Sequence, residues 1–291
     1  MPAAGFAATT SEVLVANDMT FAARLKSWRE QRGFSQLALA MRSDVSQRHL
    51  SFLELGRASP SREMVDRLAA ALDIPLRQHN ALLLAAGFAP EWRQRDLAAP
   101  DMAQVASALD YMLAQQEPYP AVVVDRQWNL LKSNVGAVRL VEFLVGPIAP
   151  GTAINLADAL VAPDVLRPHL TNWAEVVRHF IHSVEADAAV DGLIETTALL
   201  ERLTGYDGVR EALRAGSNDA RTGPVLAMHF RKQDTSLRLF TTIATLGTPQ
   251  DITLQELRIE CFFPMDDSTA KLLQGWAKAP GQAASGSSPQ R

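Results

Sequence analysis

The chain has 291 residues, of which 47% are hydrophobic and 21% charged, a globular composition with room for one large domain or two ordinary ones. Its apolar runs stay shorter than the roughly 18 residues that a membrane-spanning helix needs, which argues against a transmembrane segment. Residues 1–18 lack the basic residues of a signal peptide, and the single cysteine, Cys261, cannot form an internal disulfide, so we expect a cytoplasmic protein with a packed thiol.

The charge is divided unevenly along the chain. The net charge is −4, but residues 19–95 carry 12 Lys and Arg against 7 Asp and Glu, a net of +5. The remaining residues therefore carry −9. A basic segment attracts the phosphates of a nucleic acid and an acidic remainder is repelled by them, so this division favours residues 19–95 as the part that meets DNA.

Residues 20–90 show apolar side chains at helical spacing, interrupted at short intervals by glycine and by serine. A serine before an apolar run caps the first backbone N–H groups of a helix, and a glycine after it accepts the left-handed conformation that ends one. The pattern predicts a compact bundle of five short helices. The expected helical stretches run from Phe21 to Gly33, Ser35 to Ala40, Ser46 to Gly56, Ser61 to Leu72 and Leu76 to Gly87.

The second and third predicted helices have the spacing of a helix-turn-helix, whose second helix enters the major groove of DNA. The connection runs from Arg42 to Ser46. Asp44 falls where the backbone of such a turn is often left-handed, a conformation that Asp tolerates better than most residues. Val45 is expected to fill the space beneath the turn.

The third predicted helix separates polar from apolar side chains. Gln47, Arg48 and Phe52 are predicted to point outward, whereas Leu50 and Leu53 face the bundle. Glutamine can make a two-point contact with adenine and arginine with guanine, so the outward face has groups that read base edges. At the start of the preceding helix, Ser35, Gln36 and the free backbone amides suit contact with phosphate.

These residues resemble the Xre, Cro and phage-repressor family of helix-turn-helix proteins. The resemblance implies a lambda-repressor-like bundle that binds double-stranded DNA, with an ion pair between Arg29 and Glu54; it departs from the family at Asp44, where glycine is usual. The matching positions are Ser35–Gln36, Leu39–Ala40, Val45–Ser46, Leu50–Ser51, Leu53–Glu54, Gly56 and Pro60–Ser61. The predicted DNA-contacting residues are Ser35, Gln36, Ser46, Gln47, Arg48, His49, Ser51, Phe52 and Arg57.

A bridging helix is predicted at about 101–116, and after it the sequence pattern changes from helical to strand-like. Residues 121–124 and 128–132 are predicted to form a hairpin, and residues 134–213 to form several helices separated by Gly and Pro. Three further strands are expected at 225–231, 237–246 and 257–263. Two strands, then helices, then three strands indicate an α+β domain, with helices on one face of a five-stranded antiparallel sheet.

Longer segments resemble the MmyB-like transcription regulators, whose carboxy-terminal ligand-binding domain is PAS-like. The resemblance implies a helix-turn-helix domain at 19–92, a linker with the bridging helix at 93–117 and a PAS-like domain at 118–278; residues 1–18 and 279–291 are expected to be flexible. The segments that carry it are Leu50 to Arg57, Pro75 to Pro90, Glu117 to Asp125, Trp128 to Leu130 with Asn134, Asn155–Leu156, Trp173, Leu239 to Leu254 and Glu260 to Pro264.

A sheet covered by helices can enclose a small molecule. The resemblance and the apolar strands favour an apolar, fatty-acid-like ligand, and few buried charges are expected beside it. The alternative is that the second domain is a dimerisation or partner-docking module and that these residues are simply its core. The predicted ligand-binding residues are Trp128, Phe143, Leu144, Trp173, Val177, Phe180 and Ile181.

The sequence predicts no enzyme and no cofactor. Glu175, His179 and His182 share a helical face at a spacing that could chelate a metal, and His179 could ligate haem, but a solvated face is the simpler interpretation. Phosphate loops, paired cysteines and nucleophile elbows are missing. Taken together, the two predicted domains indicate a homodimeric regulator that binds an inverted-repeat operator. A further alternative is an autoproteolytic repressor, which would need a Ser–Lys pair.

Overall fold

The computed structural model describes residues 19–149, 151–215 and 225–278. The predicted flexible ends at 1–18 and 279–291 lie outside these residues. The chain forms two compact units. The amino-terminal unit comprises the chain up to Asp96 together with Ser183–Leu199 and Gly247–Gln255, and the carboxy-terminal unit comprises the rest.

Five helices form the first part of the amino-terminal unit, as the sequence predicts. Each of the first four begins at a capping residue, Thr20, Ser35, Ser46 or Ser61, whose side-chain oxygen accepts a hydrogen bond from the backbone N–H three residues on, at 3.1–3.3 Å. The helices are α1 (Phe21–Gln31), α2 (Gln36–Arg42), α3 (Gln47–Glu54), α4 (Arg62–Ala71) and α5 (Leu76–Ala85).

The helices enclose one continuous apolar core. Leucines from all five reach it and are fully buried, because each helix places its apolar residues along one stripe. Burial of such side chains is the main source of stability for a bundle of short helices, which are marginal alone. The core leucines include Leu25, Leu39, Leu50, Leu53, Leu68, Leu72, Leu82 and Leu83.

Later parts of the chain complete this unit. The indole of Trp28 lies against Gly192, whose φ of 59° is left-handed. Three side chains of the bundle donate to backbone carbonyl groups near the end of a later helix, where carbonyls lack partners within the helix. These contacts join Gln31 Nε2 to Ala189 O, Arg32 Nη2 to Val190 O at 3.3 Å, and Gln78 Nε2 to Gly192 O at 3.2 Å.

The carboxy-terminal unit contains a five-stranded antiparallel sheet in the order β2-β1-β5-β4-β3. The strands are β1 (Ala121–Val124), β2 (Leu130–Ser133), β3 (Met228–Lys232), β4 (Thr235–Ala244) and β5 (Arg258–Pro264). The predicted fold class of a helical bundle followed by an α+β domain is confirmed. The second strand was expected from Trp128 but begins at Leu130, because Trp128 has a left-handed backbone (φ 64°) and belongs to the turn.

The remaining helices lie between and after these strands. The bridging helix begins with a short 3-10 turn at Pro100–Met102, and a second 3-10 turn lies at Arg167–His169. The helices are α6 (Ala103–Gln115), α7 (Val135–Val145), α8 (Leu156–Val161), α9 (Trp173–Asp191), α10 (Ile194–Thr204), α11 (Val209–Arg214), α12 (Ile252–Glu256) and α13 (Asp267–Lys278). Helix α9 contributes its first part to the carboxy-terminal unit and its last part to the amino-terminal unit.

The sheet buries apolar side chains on both of its faces. On the face that we call outer, Leu109 and Leu113 of α6 pack against Val123 and Ile259, with Cys261 partly buried at the edge. Burial raises the pKa of the Cys261 thiol. On the inner face, side chains of α7, α8, α9 and α13 pack against β3 and β4 in a larger apolar cluster.

Asn134 ties the two layers together at the start of α7. Its side-chain oxygen accepts from the backbone N–H groups of Ala121 and Ala137, both at 2.9 Å. Its amide donates to the carbonyl oxygens of Leu113, at 3.2 Å, and Tyr119, at 2.8 Å. Asn134 is buried, and these bonds satisfy its polar atoms while fixing α6, β1 and α7 to one another.

Candidate nucleic-acid interface and the inner face of the sheet

Helices α2 and α3 form a helix-turn-helix. Asp44 has a φ of 51°, the left-handed conformation expected at this position of the turn. The backbone N–H of Val45 donates to Ala40 O at 2.9 Å, and a guanidinium nitrogen of Arg67 in α4 contacts Asp44 O at 3.3 Å. Val45 is only half-buried and lines a surface cavity of about 280 Å³ beside the turn. The turn is thus held from the α2 and α4 sides.

Helix α3 presents a polar face to solvent. Leu50 and Leu53 are fully buried, whereas Gln47 and Arg48 are exposed. The Arg48 guanidinium lies 5.4 Å from the ring centroid of Phe52, one turn further along, a cation–π contact that positions the charge at the outer face. The first turns of α3 therefore combine an exposed carboxamide and an exposed guanidinium.

A two-point ion pair holds α3 against α1. Arg29 Nε and Nη2 donate to Glu54 Oε1 and Oε2 at 2.6 and 3.0 Å, and both residues are buried. The hydrogen bond to Glu54 and its negative charge raise the pKa of Arg29 against the opposing effect of burial. Gln36 of α2 adds a third donor to Glu54, at 2.8 Å. The pair expected from the family resemblance is present and fixes the angle at which α3 is displayed.

The predicted DNA-contacting residues lie on neighbouring parts of this unit, but they differ in availability. Ser35 and Ser46 are exposed while their oxygens cap helices, and each hydroxyl proton can still be donated. One N–H of the Gln36 side-chain amide is committed to Glu54, so the donors that Gln36 still offers are its second amide N–H and its backbone N–H. Arg57 is exposed; His49, Ser51 and Phe52 are half-buried.

The register of the sheet places two charged side chains on its inner face. Val122 of β1 and Ile243 of β4 are the cross-strand partners of Glu260 in β5, so these three side chains share a face. Arg258 lies two residues before Glu260 and therefore points the same way. The sequence predicts few charged residues beside a ligand, and it does not predict that Arg258 and Glu260 lie on this face.

Burial governs the chemistry of Glu260. It raises the pKa of this carboxyl to about 7, against the opposing effects of a hydrogen bond from the Thr241 hydroxyl and the charge of Arg258. Near neutral pH the group exchanges between its neutral and charged forms. Sequence reasoning did not single out Arg258 and Glu260. The pattern that could have indicated them is two charged residues at alternate positions of a strand with apolar flanks.

Of the seven predicted ligand-binding residues, Phe143, Leu144, Trp173 and Phe180 belong to the apolar cluster on the inner face. The rings of Trp128 and Phe180 meet edge to face with centroids 4.8 Å apart, and Phe143 lies 4.9 Å from Trp276. Trp173 donates its indole N–H to Leu160 O at 2.9 Å. The other three, Leu144, Val177 and Ile181, are buried almost completely.

The histidine pattern of α9 forms no cluster with metal-binding geometry. Glu175 accepts a hydrogen bond from Asn172 at 3.0 Å, and His182 Nδ1 lies 2.7 Å from the Arg178 carbonyl oxygen. Across residues 19–149, 151–215 and 225–278, no three His, Cys, Asp or Glu side chains gather as a metal site would require. In the same residues, no helix combines the length and apolar character needed to cross a bilayer.

The fold and this surface together define a DNA-binding transcription regulator with a ligand-binding domain. Residues 25–78 match the family model described as helix-turn-helix. Residues 105–275, more than half of the chain, match the model of the MmyB-like transcription regulator ligand binding domain. The chain belongs to the MmyB-like transcription regulators.

Comparison with individual proteins adds little to this assignment. No curated protein matches the chain. Among solved structures, the one titled "Structure of an RNA-binding Light-Oxygen-Voltage Receptor" is 12% identical, with 93% of this chain and 68% of that chain covered and a TM-score of 0.30. A similarity at this level carries no argument about function.

Proposed function

We propose that the protein is a cytoplasmic, homodimeric regulator without catalytic activity that binds an inverted-repeat operator and senses an apolar, fatty-acid-like ligand. The DNA-binding domain spans residues 19–92, the linker 93–117 and the sensing domain 118–278. The observation that carries the proposal is that Gln47 and Arg48 are exposed on α3. The buried ion pair of Arg29 and Glu54 holds α3 against α1.

The DNA contacts divide into two kinds. Gln47 and Arg48 read base edges in the major groove, while Ser35, Ser46 and the amino ends of α2 and α3 contact phosphate. Gln36, His49, Ser51, Phe52 and Arg57 complete the surface. A dimer places two copies of α3 in half-sites about one helical turn of DNA apart. Ligand binding shifts the population of dimers whose two copies of α3 fit both half-sites.

The sensing function rests on the family and on an inner face that is mainly apolar. Trp128, Phe143, Leu144, Trp173, Val177, Phe180 and Ile181 are the proposed lining residues. Mass spectrometry of the purified protein under native conditions tests this part: a retained small molecule, or a gain in mass on adding one, supports sensing. Repeated failure of both, with the dimer intact, favours a dimerisation or partner-docking module.

A selection from random DNA followed by titration of the preferred operator tests the DNA-binding part. Arg48→Ala is expected to weaken binding to that operator by about 1–3 kcal/mol and to relax the preference at one base position. Arg210→Ala in α11, an exposed arginine of the carboxy-terminal unit, is the matched control and leaves the affinity unchanged. An equal loss on every DNA sequence would make Arg48 a phosphate contact instead.

A further inference from the structure

A buried hydrogen-bond donor without a partner marks the inner side of the carboxy-terminal unit. Among the described residues, the buried side-chain nitrogen and oxygen atoms without a hydrogen-bond partner are Trp128 Nε1 and His229 Nε2. The histidine ring can carry its proton on either nitrogen, but an indole nitrogen can only donate. Trp128 is 4% exposed, so solvent does not satisfy it. Such a group points to a partner that the folded chain does not supply.

The backbone holds this indole in a strained conformation. Trp128 has a φ of 64°, which is uncommon for a large aromatic residue. Two backbone hydrogen bonds fix this conformation: the backbone N–H of Trp128 donates to Asp125 O at 3.1 Å, and the backbone carbonyl oxygen of Trp128 accepts from Leu156 N at 2.8 Å. Strained residues held in this way gather at ligand-binding and functional sites.

The surroundings of the indole combine apolar and cationic groups. Phe180 of α9 packs edge-on against its ring, and the Arg258 guanidinium of β5 lies 5.5 Å from the ring centroid. Trp128 therefore sits between a helix and the central strand of the sheet. A hydrogen-bond donor, a cation and apolar walls together match a molecule with an apolar body and an anionic oxygen at one end.

We infer that Trp128 and Arg258 form the head-group end of the ligand site, where the Trp128 indole N–H donates to the carboxylate of an apolar ligand. The inference rests on the proposed sensing function and names the residues that fix the ligand's orientation. Glu260 faces the same side of the sheet, and since its pKa is about 7, a large share of its side chains is neutral at pH 6.5. At that pH it opposes an anionic ligand only weakly.

Binding of two detergents of equal chain length to the full-length chain tests the inference. By isothermal titration calorimetry at pH 6.5, below the micelle concentrations, dodecanoate is expected to bind and dodecylammonium, which has no acceptor, to bind at least tenfold more weakly. Trp128→Phe keeps an aromatic ring but removes the five-membered ring of the indole and its N–H. This variant should bind dodecanoate about tenfold more weakly. Trp276→Phe, which trims another indole of the same core, should change it less than twofold.

A second measurement does not depend on the stability of the variant. In the wild-type chain, the indole N–H resonance of Trp128 should move downfield when dodecanoate binds and stay in place when dodecylammonium is added. Equal binding by wild type and Trp128→Phe, an unmoved resonance at saturation, or no dodecanoate binding at all would overturn the inference. The operator titration contains no detergent. A negative result in the dodecanoate experiments therefore does not count against the DNA-binding proposal.

Discussion

The indole N–H of Trp92 donates to Nδ1 of His79 at 3.0 Å, and this contact selects one tautomer of the neutral histidine ring. Because an indole only donates, Nδ1 must be unprotonated and the ring proton must sit on Nε2. Nε2 in turn lies 2.9 Å from Asp66 Oδ1, in reach to donate. The three side chains line a cavity of about 520 Å³ at the surface of the amino-terminal unit.

This chain of bonds makes a prediction about Trp92. Nitrogen NMR of the histidine rings at pH 8 should show His79 in the Nε2–H form, and Trp92→Phe should lower the free energy of unfolding by about 1–2 kcal/mol, because Nδ1 loses its donor while buried. His169→Gln, which removes a histidine of the carboxy-terminal unit, serves as the control for assigning ring resonances. Finding His79 in the Nδ1–H form would contradict the assignment.

Two helical glycines should respond oppositely to alanine. A Cβ at Gly136 in α7 would lie 2.7 Å from the Pro118 carbonyl oxygen, so the helix or the preceding backbone must shift. At Gly275 in α13 a Cβ would meet nothing within 4 Å. We expect Gly136→Ala to destabilise the chain by about 1–3 kcal/mol and Gly275→Ala to stabilise it by up to about 1 kcal/mol. Thermal unfolding of both variants under one set of conditions provides the comparison; stabilisation by Gly136→Ala would show that the close approach is absent.

Glu260 should make stability depend on pH. Its folded-state pKa of about 7 exceeds the ordinary value of 4.5, so between these values the folded chain binds more protons than the unfolded chain. The contribution of Glu260 to stability is therefore complete below pH 4.5 and declines as the pH rises to about 7. Glu260→Gln should stabilise the chain by about 1–3 kcal/mol at pH 8 and have little effect at pH 4.5.

Denaturant unfolding at the two pH values measures this difference. Glu142→Gln, at an exposed position of α7, controls for the loss of one negative charge and should change stability little at either pH. An equal effect of Glu260→Gln at both pH values would mean that the carboxyl keeps an ordinary pKa. Destabilisation at pH 8 would mean instead that its attraction to Arg258 outweighs burial.

The helix-turn-helix could be predicted because its determinants are local. Ser35 and Ser46 cap their helices through residues three positions away, and Asp44 adopts its turn conformation within a single peptide unit. The outward placement of Arg48 follows from helical periodicity alone. Even the contact of Arg29 with Glu54, across 25 residues, was available from the family resemblance.

The residues of the inner face could not be predicted from local sequence. Which way Arg258 and Glu260 point depends on the pairing of β5 with β1 and β4, strands that are distant in the chain. The sequence predicts strand at Trp128, because its aromatic and apolar neighbours favour extended structure, whereas its left-handed backbone is held by Leu156 from another segment. Long-range contacts set both features.

The segments that complete the amino-terminal unit have a consequence for how the protein is made. The face of Trp28, Gln31 and Gln78 meets residues 189–192, and Gln255 accepts a bond from the Leu76 backbone at 2.8 Å. During synthesis the helices of residues 21–85 emerge from the ribosome long before these partners. The helix-turn-helix part of this unit thus gains these contacts only after residue 255 has been translated, and a fragment cut after residue 96 would expose an apolar patch with unpaired hydrogen-bond donors, which favours self-association.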